Sequence, residues 1–276
     1  MNAIVLMAIG AKYEAILQET RDQFERYAEK CGAILEICRT PPDPSMQGHL
    51  LTQKMLIPKV YKQYEWITFL DLDVVISKHA PSIFDNIDNT KGFGAVLDPI
   101  GEKVFFKTNH YWFNRAPNNI TSIEDRFINE GFEFNPRITG IINGGIWVAN
   151  PKIVGELFAE YYHEHKNKLG FFEEIPMSFL TQDSELFFPL DRRFNDQLIY
   201  FSCKENARFN YLTIKLQEKI NQILNRVIPK RMGYLFLQPY ISLIEKNLDS
   251  SFILHFSGGY PIPQKLKNSL DLSLKK

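Results

Sequence analysis

The chain has 276 residues, with 32 basic and 32 acidic side chains and 45% hydrophobic content, enough apolar mass for one large domain, or one domain with an appendage, and too much for a disordered polypeptide. The charge is unevenly spread: residues 1–203 carry an excess of about seven negative charges and residues 204–276 about seven positive ones, so an anionic partner would suit the C-terminal part, and no nucleic-acid partner is expected. Three cysteines (Cys31, Cys38, Cys203) form an odd set without metal-type spacing, which points to a reducing, cytoplasmic setting and away from a disulfide framework.

The run "AIVLMAIG" has no basic flank and is too short for the core of a signal peptide, so residues 3–9 are predicted to be a first strand. Helical spacing of Ile16, Phe24, Tyr27 and Ala28 predicts a helix from Tyr13 to about Cys31. "AILEIC" (33–38) is the next strand, "TPPDPS" (40–45) a rigid loop, and His49 to Tyr64 a helix leading into a strand at 66–70. This β-α-β-α order predicts an α/β fold with a mostly parallel sheet and helices on both faces. "GFGAVLD" (92–98) reads as a strand ending in an acid, "ITGIINGGIWVAN" (138–150) as a glycine-interrupted strand or strand pair, and Pro151 opens a helix to about Lys166. The pattern after Gly170 is less regular until "FILHFSGG" (252–259). Residues 211–228 align Leu212, Leu216, Ile220, Ile223 and Val227 on one helical face, and 234–248 is a second apolar segment broken by Pro239. No segment approaches a membrane span, and the sequon at Asn119 is expected to be unused in a cytoplasmic chain.

"WITFLDLDVVI" (66–76) places two carboxylates, Asp71 and Asp73, in an almost uninterrupted apolar run. A carboxylate in an apolar interior is costly unless something pairs with it. Residues i and i+2 of an extended chain share a face, so these two can converge on one point, and a cation between them resolves their repulsion. Mg²⁺ or Mn²⁺ suits carboxylate oxygens and keeps positions open for phosphate. A solvated acidic turn would show the same spacing; the apolar strand before it, and the carboxyl-end position where α/β sheets bind ligands, favour the metal reading.

The same segment resembles the metal-binding D-x-D of GT-A-fold glycosyltransferases, and further pieces in the same order over roughly residues 3–259 resemble glycosyltransferase family 8, retaining enzymes that use nucleotide sugars. "MAIGAKY" (7–13) is similar to the family's first-strand loop, with Tyr13 near the base. "QKMLIPKVY" (53–61) resembles the helix whose basic residue, here Lys54, turns towards the donor. "GAVLD" places Asp98, and "INGGIWVANP" places Asn143, in sugar-contacting positions. "TQDSEL" with the later "RRFN" is similar to the D-Q-D-x-L-N segment and its following W/F-N, and "LHFSGG" resembles H-x-x-G, with His255 completing the metal site. Gly10 stands where the family usually has an acid, Thr181 replaces the first acid of D-Q-D, and Pro261 replaces an expected lysine, for which Lys265 is the nearby substitute.

The resemblance implies a GT-A core over 1–203 and a basic, partly helical region over 204–276 that returns His255 to the site. It implies transfer of a hexose from a nucleotide diphosphate sugar, a UDP-sugar first, to a glycan or lipid-linked saccharide, with Mn²⁺ or Mg²⁺ held by Asp71, Asp73 and His255. The implied donor-binding set is Ala8, Ile9, Gly10, Tyr13, Lys54, Asp71, Leu72, Asp73, Asp98, Asn143, Gly144, Gln182, His255 and Gly258, with Gln182 and Asp183 as catalytic candidates. Each has a plainer reading: His255 as a capped strand end, Asn143 and Gly144 as a bulge with a polar turn, and Gln182 and Asp183 as an ordinary helix terminus. The 211–228 helix either packs on the core or touches an anionic membrane. A haloacid-dehalogenase-type phosphatase would also use two aspartates at this spacing, but with the motif near the N-terminus and a later acidic pair; a sugar-binding module would not need Asp71, Asp73 and His255 together.

Overall fold

The computed structural model describes residues 1–46, 50–98, 122–167, 173–198 and 238–257, with isolated positions at 216, 220, 223 and 262. In chain order its strands are β1 (Ala3–Met7), β2 (Ile34–Cys38), β3 (Ile67–Leu70), β4 (Val74–Ile76), β5 (Phe93–Leu97), β6 (Ile142–Ala149), β7 (Phe187–Pro189), β8 (Asp196–Gln197) and β9 (Ile253–His255). Its α-helices are α1 (Ala11–Lys30), α2 (Ile57–Val60), α3 (Ile123–Asn129), α4 (Pro151–His165), α5 (Glu174–Asp183) and α6 (Gln238–Leu248).

The main sheet runs β2-β1-β3-β6-β5-β7. Every strand but β6 points the same way, since β6 pairs antiparallel with both β3 and β5. The continuous apolar run of β1 is explained by burial on both faces. Ile4 and Leu6 pack with Phe24 and Tyr27 of α1 on one side, while Ala3 and Val5 pack with Met55, Ile57 and Phe158 on the other. Trp147 of β6 stacks on Phe69 with ring centroids 5.3 Å apart, and Phe93 meets Phe158 of α4 edge-on at 5.5 Å. Helix α4 starts where Asn150 accepts from Lys152 N and Pro151 occupies the first turn, as the sequence led one to expect.

A smaller sheet, ordered β4-β9-β8, lies beyond the end of β3. Its β4 edge is closed by a side chain. Gln23 of α1 donates from Nε2 to Val74 O at 2.9 Å and accepts from Ile76 N at 3.0 Å, so one buried amide does the work of a neighbouring strand.

Three segments differ from the sequence reading. The helix expected from His49 to Tyr64 is a 3-10 turn (Thr52–Leu56) followed by the short α2; Pro58 lacks an N–H and its ring opposes a helical carbonyl four residues back, so no single α-helix passes through it. Pro239 lies in the first turn of α6 and does not break it. The irregular stretch after Gly170 contains α5 and β7. Asn119, Cys203, Gly258, Pro261, Lys265 and most of 211–228 lie outside the described residues. Cys31 and Cys38 are free thiols, and among the described residues no helix is long and apolar enough to cross a membrane.

Replacing Gln23 with Leu keeps the volume but strands Val74 O and Ile76 N without partners. The expected loss is roughly 2–6 kcal/mol of unfolding free energy, at about 1–3 kcal/mol for each of the two orphaned buried groups. Urea denaturation measures it; an unchanged midpoint would show that the edge of β4 is satisfied in another way.

Candidate functional site

Asp71, Leu72 and Asp73 form the crossing between the two sheets. Asp71 N donates to Gly145 O at 2.8 Å, prolonging the β3–β6 ladder, and Asp73 O accepts from Phe256 N at 2.8 Å, prolonging the β4–β9 ladder. Leu72 is buried in the core between them. With the leucine turned inward, the flanking carboxylates share the other side, and their oxygens and a ring nitrogen of His255 all lie within 4.8 Å of one another. His255 Nε2 is 3.4 Å from Asp73 Oδ1.

Hydrogen bonding settles which nitrogen of His255 is free. Gly145 N, which can only donate, bonds Asn143 Oδ1 at 3.1 Å. Asn195 Nδ2 donates to that same oxygen at 2.9 Å, so Asn195 Oδ1 is the atom that meets His255 Nδ1 at 2.9 Å. Nδ1 therefore carries a proton and donates, and Nε2 is the nitrogen that faces the two aspartates, open to a metal ion once its own proton is lost. Gly145 also makes the space. A Cβ there would overlap His255 Cε1 and come within 2.9 Å of Asp71 Oδ2. Two carboxylates and one oriented imidazole fit a hard divalent ion.

Burial pushes the Asp71 carboxyl up, against the opposing effect of Lys54. For Asp73 burial acts the same way, but the neighbouring His255 outweighs it and holds the carboxyl below its ordinary range. Burial disfavours the charged His255, and the aspartates overcome this, raising its pKa.

Lys54 does not project into open space. It is 3% exposed, and its three N–H groups are taken by Asp71 Oδ2 (3.0 Å), Glu173 Oε1 (3.2 Å) and Gly144 O (3.3 Å). Burial works against its charge, but Asp71 and Glu173 hold its pKa above the ordinary lysine value. The expected donor-facing cation is thus a buried counter-ion to a candidate metal ligand.

Glu173 and Glu174, at the start of α5, were not singled out from the sequence. Glu174 Oε1 accepts from Gly144 N at 3.0 Å, and Glu173 Oε2 is a buried atom without a hydrogen-bond partner. Burial first, and then neighbouring acids, push both carboxyls up to about 7; Asp98 is the acid that acts on Glu174. The available signal was the adjacent acid pair inside the apolar stretch "GFFEEIPM", with a proline marking a helix's first turn.

Gln182 and Asp183 lie at the other end of α5, about 13 Å along the axis from Glu174 at 1.5 Å per residue. Gln182 Oε1 accepts from Thr139 N, Thr139 Oγ1 and Gly140 N, while Nε2 donates to Gly140 O and Ser178 O. The residue braces the loop before β6 and has no hydrogen-bonding group left for a ligand. Asp183 accepts from Asn135 and pairs with Arg137 at 3.5 Å. The letters of "TQDSEL" match the motif, but they stand at the end of α5 opposite to Glu173 and Glu174.

The remaining candidates sit at the carboxyl edge of the sheet. β1 and β3 are in register through Leu6 and Leu70, so Ala8, Ile9 and Gly10 follow β1 where Asp71 follows β3. Gly10 has φ 87°, a conformation that favours glycine, and precedes the first turn of α1. Tyr13 is 39% exposed there, with Lys12 Nζ 5.2 Å from its ring centre. Asp98 directly follows β5 and donates its N–H to Ile141 O at 2.6 Å.

Neither a protein-family profile nor a curated protein sequence matches the chain. Solved structures do match its fold. The bifunctional glycosyltransferase WbbM aligns with TM-score 0.55 and 15% identity over 93% of this chain and 45% of that one. An active-site mutant of LgtC aligns with TM-score 0.53 and 13% identity over 99% and 96%. The galactosyltransferase LgtC, in complex with donor and acceptor sugar analogues, aligns with TM-score 0.51 and 12% identity over 94% and 88%. The chain has the GT-A-type fold: a mostly parallel sheet flanked by helices, with an Asp-Asp-His cluster at its carboxyl edge.

Asn195→Ala removes the acceptor that orients His255 and should weaken Mn²⁺ binding about 10- to 100-fold. Gly145→Ala should weaken it further, because the added methyl displaces the imidazole. The electron paramagnetic resonance signal of free Mn²⁺ reads both; wild-type affinity in either variant would contradict the assigned geometry.

Proposed function

We propose that this chain is a metal-dependent glycosyltransferase that moves a hexose from a nucleotide diphosphate sugar, a UDP-sugar first, to a glycan or lipid-linked saccharide with retention of configuration. The observation that carries this reading is the convergence of Asp71, Asp73 and a tautomerically fixed His255 at the carboxyl edge of a GT-A-type sheet. The ordered resemblance of its segments to glycosyltransferase family 8 supports it as well.

Asp71, Asp73 and His255 would hold Mn²⁺ or Mg²⁺. When bound, such an ion stabilises the negative charge of a departing nucleoside diphosphate. Lys54 keeps Asp71 in place and balances the surrounding acids. Asn143 spends its oxygen on Gly145 and Asn195, and its amide NH₂ is the end that would meet a sugar hydroxyl. Asp98, Glu173 and Glu174 offer carboxyl oxygens to sugar hydroxyls. A retaining route needs a nucleophile beneath the anomeric carbon or attack from the leaving-group face. Asp183 is the carboxylate the sequence offers for the first route, and Glu173, buried beside Lys54, is a second carboxyl near the cluster.

Residues 204–276 complete the reading as a peripheral contact with an anionic membrane. Leu216, Ile220 and Ile223 are helical and exposed at i, i+4 and i+7, in the region that carries the positive excess. Flotation with anionic liposomes should recover the protein and flotation with neutral ones should not; equal recovery with both, or none with either, removes the membrane contact.

Asp73→Asn keeps shape but deletes a charge, so donor affinity and turnover should fall together, by at least tenfold each, while the fold survives. EDTA should abolish transfer, and Mn²⁺ should restore it. Proton NMR of the first-formed product should show the donor's anomeric configuration. An active Asp73→Asn enzyme or metal-independent transfer overturns the metal assignment, and an inverted product overturns retention. Metal-dependent cleavage of a nucleotide sugar also separates this reading from a phosphatase and from a binding module.

A further inference from the structure

Three buried side-chain atoms among the described residues have no hydrogen-bond partner: Trp147 Nε1, Glu173 Oε2 and Gln197 Nε2. Trp147 belongs to the aromatic stack with Phe69 and Phe93. The other two adjoin the Asp-Asp-His cluster, and they differ in kind: one is an acceptor, the other a donor.

Gln197 stands beside His255 in the parallel β8–β9 pair. Paired residues of neighbouring strands project to the same face, so this amide shares the face that carries the imidazole. Its Oε1 accepts from Ser257 Oγ at 3.1 Å, which leaves the NH₂ group as the end without a partner. The residue is 4% exposed. Burying an amide donor without an acceptor is unfavourable, and a leucine of similar size would fill the place without that cost. A group held at such a cost beside a ligand site is one whose partner arrives with the ligand.

We infer that Gln197 Nε2 donates to a diphosphate oxygen of the ligand bound at Asp71, Asp73 and His255, which makes it a donor-binding residue. The inference rests on the nucleotide-sugar reading above. The cluster supplies three protein ligands and leaves the other positions to oxygens. Those oxygens bear negative charge when they belong to a diphosphate, and an amide donor next to them forms a charge-assisted bond. The two unpartnered atoms then orient the ligand: hydroxyl donors suit the Glu173 side, and anionic acceptors suit the Gln197 side.

The test compares the unaltered chain with Gln197→Leu and Gln197→Glu, titrated first with Mn²⁺ alone and then, at saturating Mn²⁺, with UDP, GDP and CDP. Gln197→Leu should bind Mn²⁺ like the parent, and Gln197→Glu no more weakly. For the nucleoside diphosphate that the unaltered chain prefers, Gln197→Leu should lose about tenfold in affinity and Gln197→Glu more, because it replaces a donor with a negative charge. Gln197→Leu should also be no less stable to urea than the parent. Affinities within twofold of the parent overturn the inference while leaving the nucleotide-sugar reading intact. So does a Gln197→Leu protein that loses stability and nucleotide affinity together, which would mark the residue as a structural brace. No binding of any of the three nucleotides by the unaltered chain overturns both.

Discussion

The ammonium of Lys54 is the interaction on which the site depends. A buried lysine is tolerated only if its charge and its donors are all met. Here Asp71, Glu173 and the Gly144 carbonyl meet them, and these partners come from the end of β3, the start of α5 and the middle of β6. The lysine itself comes from the 3-10 turn before α2. Four segments distant in sequence are thus held to one point by one charge. Breaking a buried pair of this kind commonly costs 3–5 kcal/mol, because the remaining charge is left uncompensated. The acids also constrain one another: Asp98 raises the Glu174 carboxyl, while Lys54 and Arg126 act to lower it.

How much of this could be read beforehand follows from where the sequence carries an energetic contradiction. Asp71 and Asp73 stood out because carboxylates are costly in an apolar run, and β1, β3, β5 and β6 stood out because strands buried on both faces are continuously apolar. His255 came from the resemblance of "LHFSGG" to H-x-x-G; its place at the end of an apolar segment reads by itself as a capped strand end. Other candidates depend on placement that letters do not carry. The motif "TQDSEL" has suitable letters, yet it lies at the far end of a ten-residue helix, while the carboxyls that enter the site are at its start. Glu173 and Glu174 look like ordinary acids at a helix N-terminus, where negative charge is favoured for local reasons alone. Beyond their apolar surroundings, contacts distant in sequence distinguish them: Glu173 with Lys54, and Glu174 with Gly144, thirty residues earlier in the chain.

Side chains replace backbone at two points in the architecture. Gln23 closes the outer edge of β4, and Asn143 with Asn195 carries the direction of one backbone N–H to the His255 ring. In both cases an amide with a donor at one end and an acceptor at the other transmits polarity that an apolar side chain could not. Glycine has the complementary use at 145, where the absence of a Cβ lets β6 lie against the imidazole and Asp71. The resulting cluster is preorganised: its imidazole is turned by Asn195 and, through it, by Asn143 and the Gly145 N–H.

The small sheet joins a strand that follows Asp71 to one that ends at His255. This has a consequence for synthesis. At about 5–20 residues per second, the ribosome delivers the final ligand roughly ten to forty seconds after the two aspartates. During that interval the nascent chain has its carboxylates but neither the imidazole nor the strand that seats it. The centre is therefore assembled late, by a long-range pairing, and a chain interrupted anywhere before β9 is released without it.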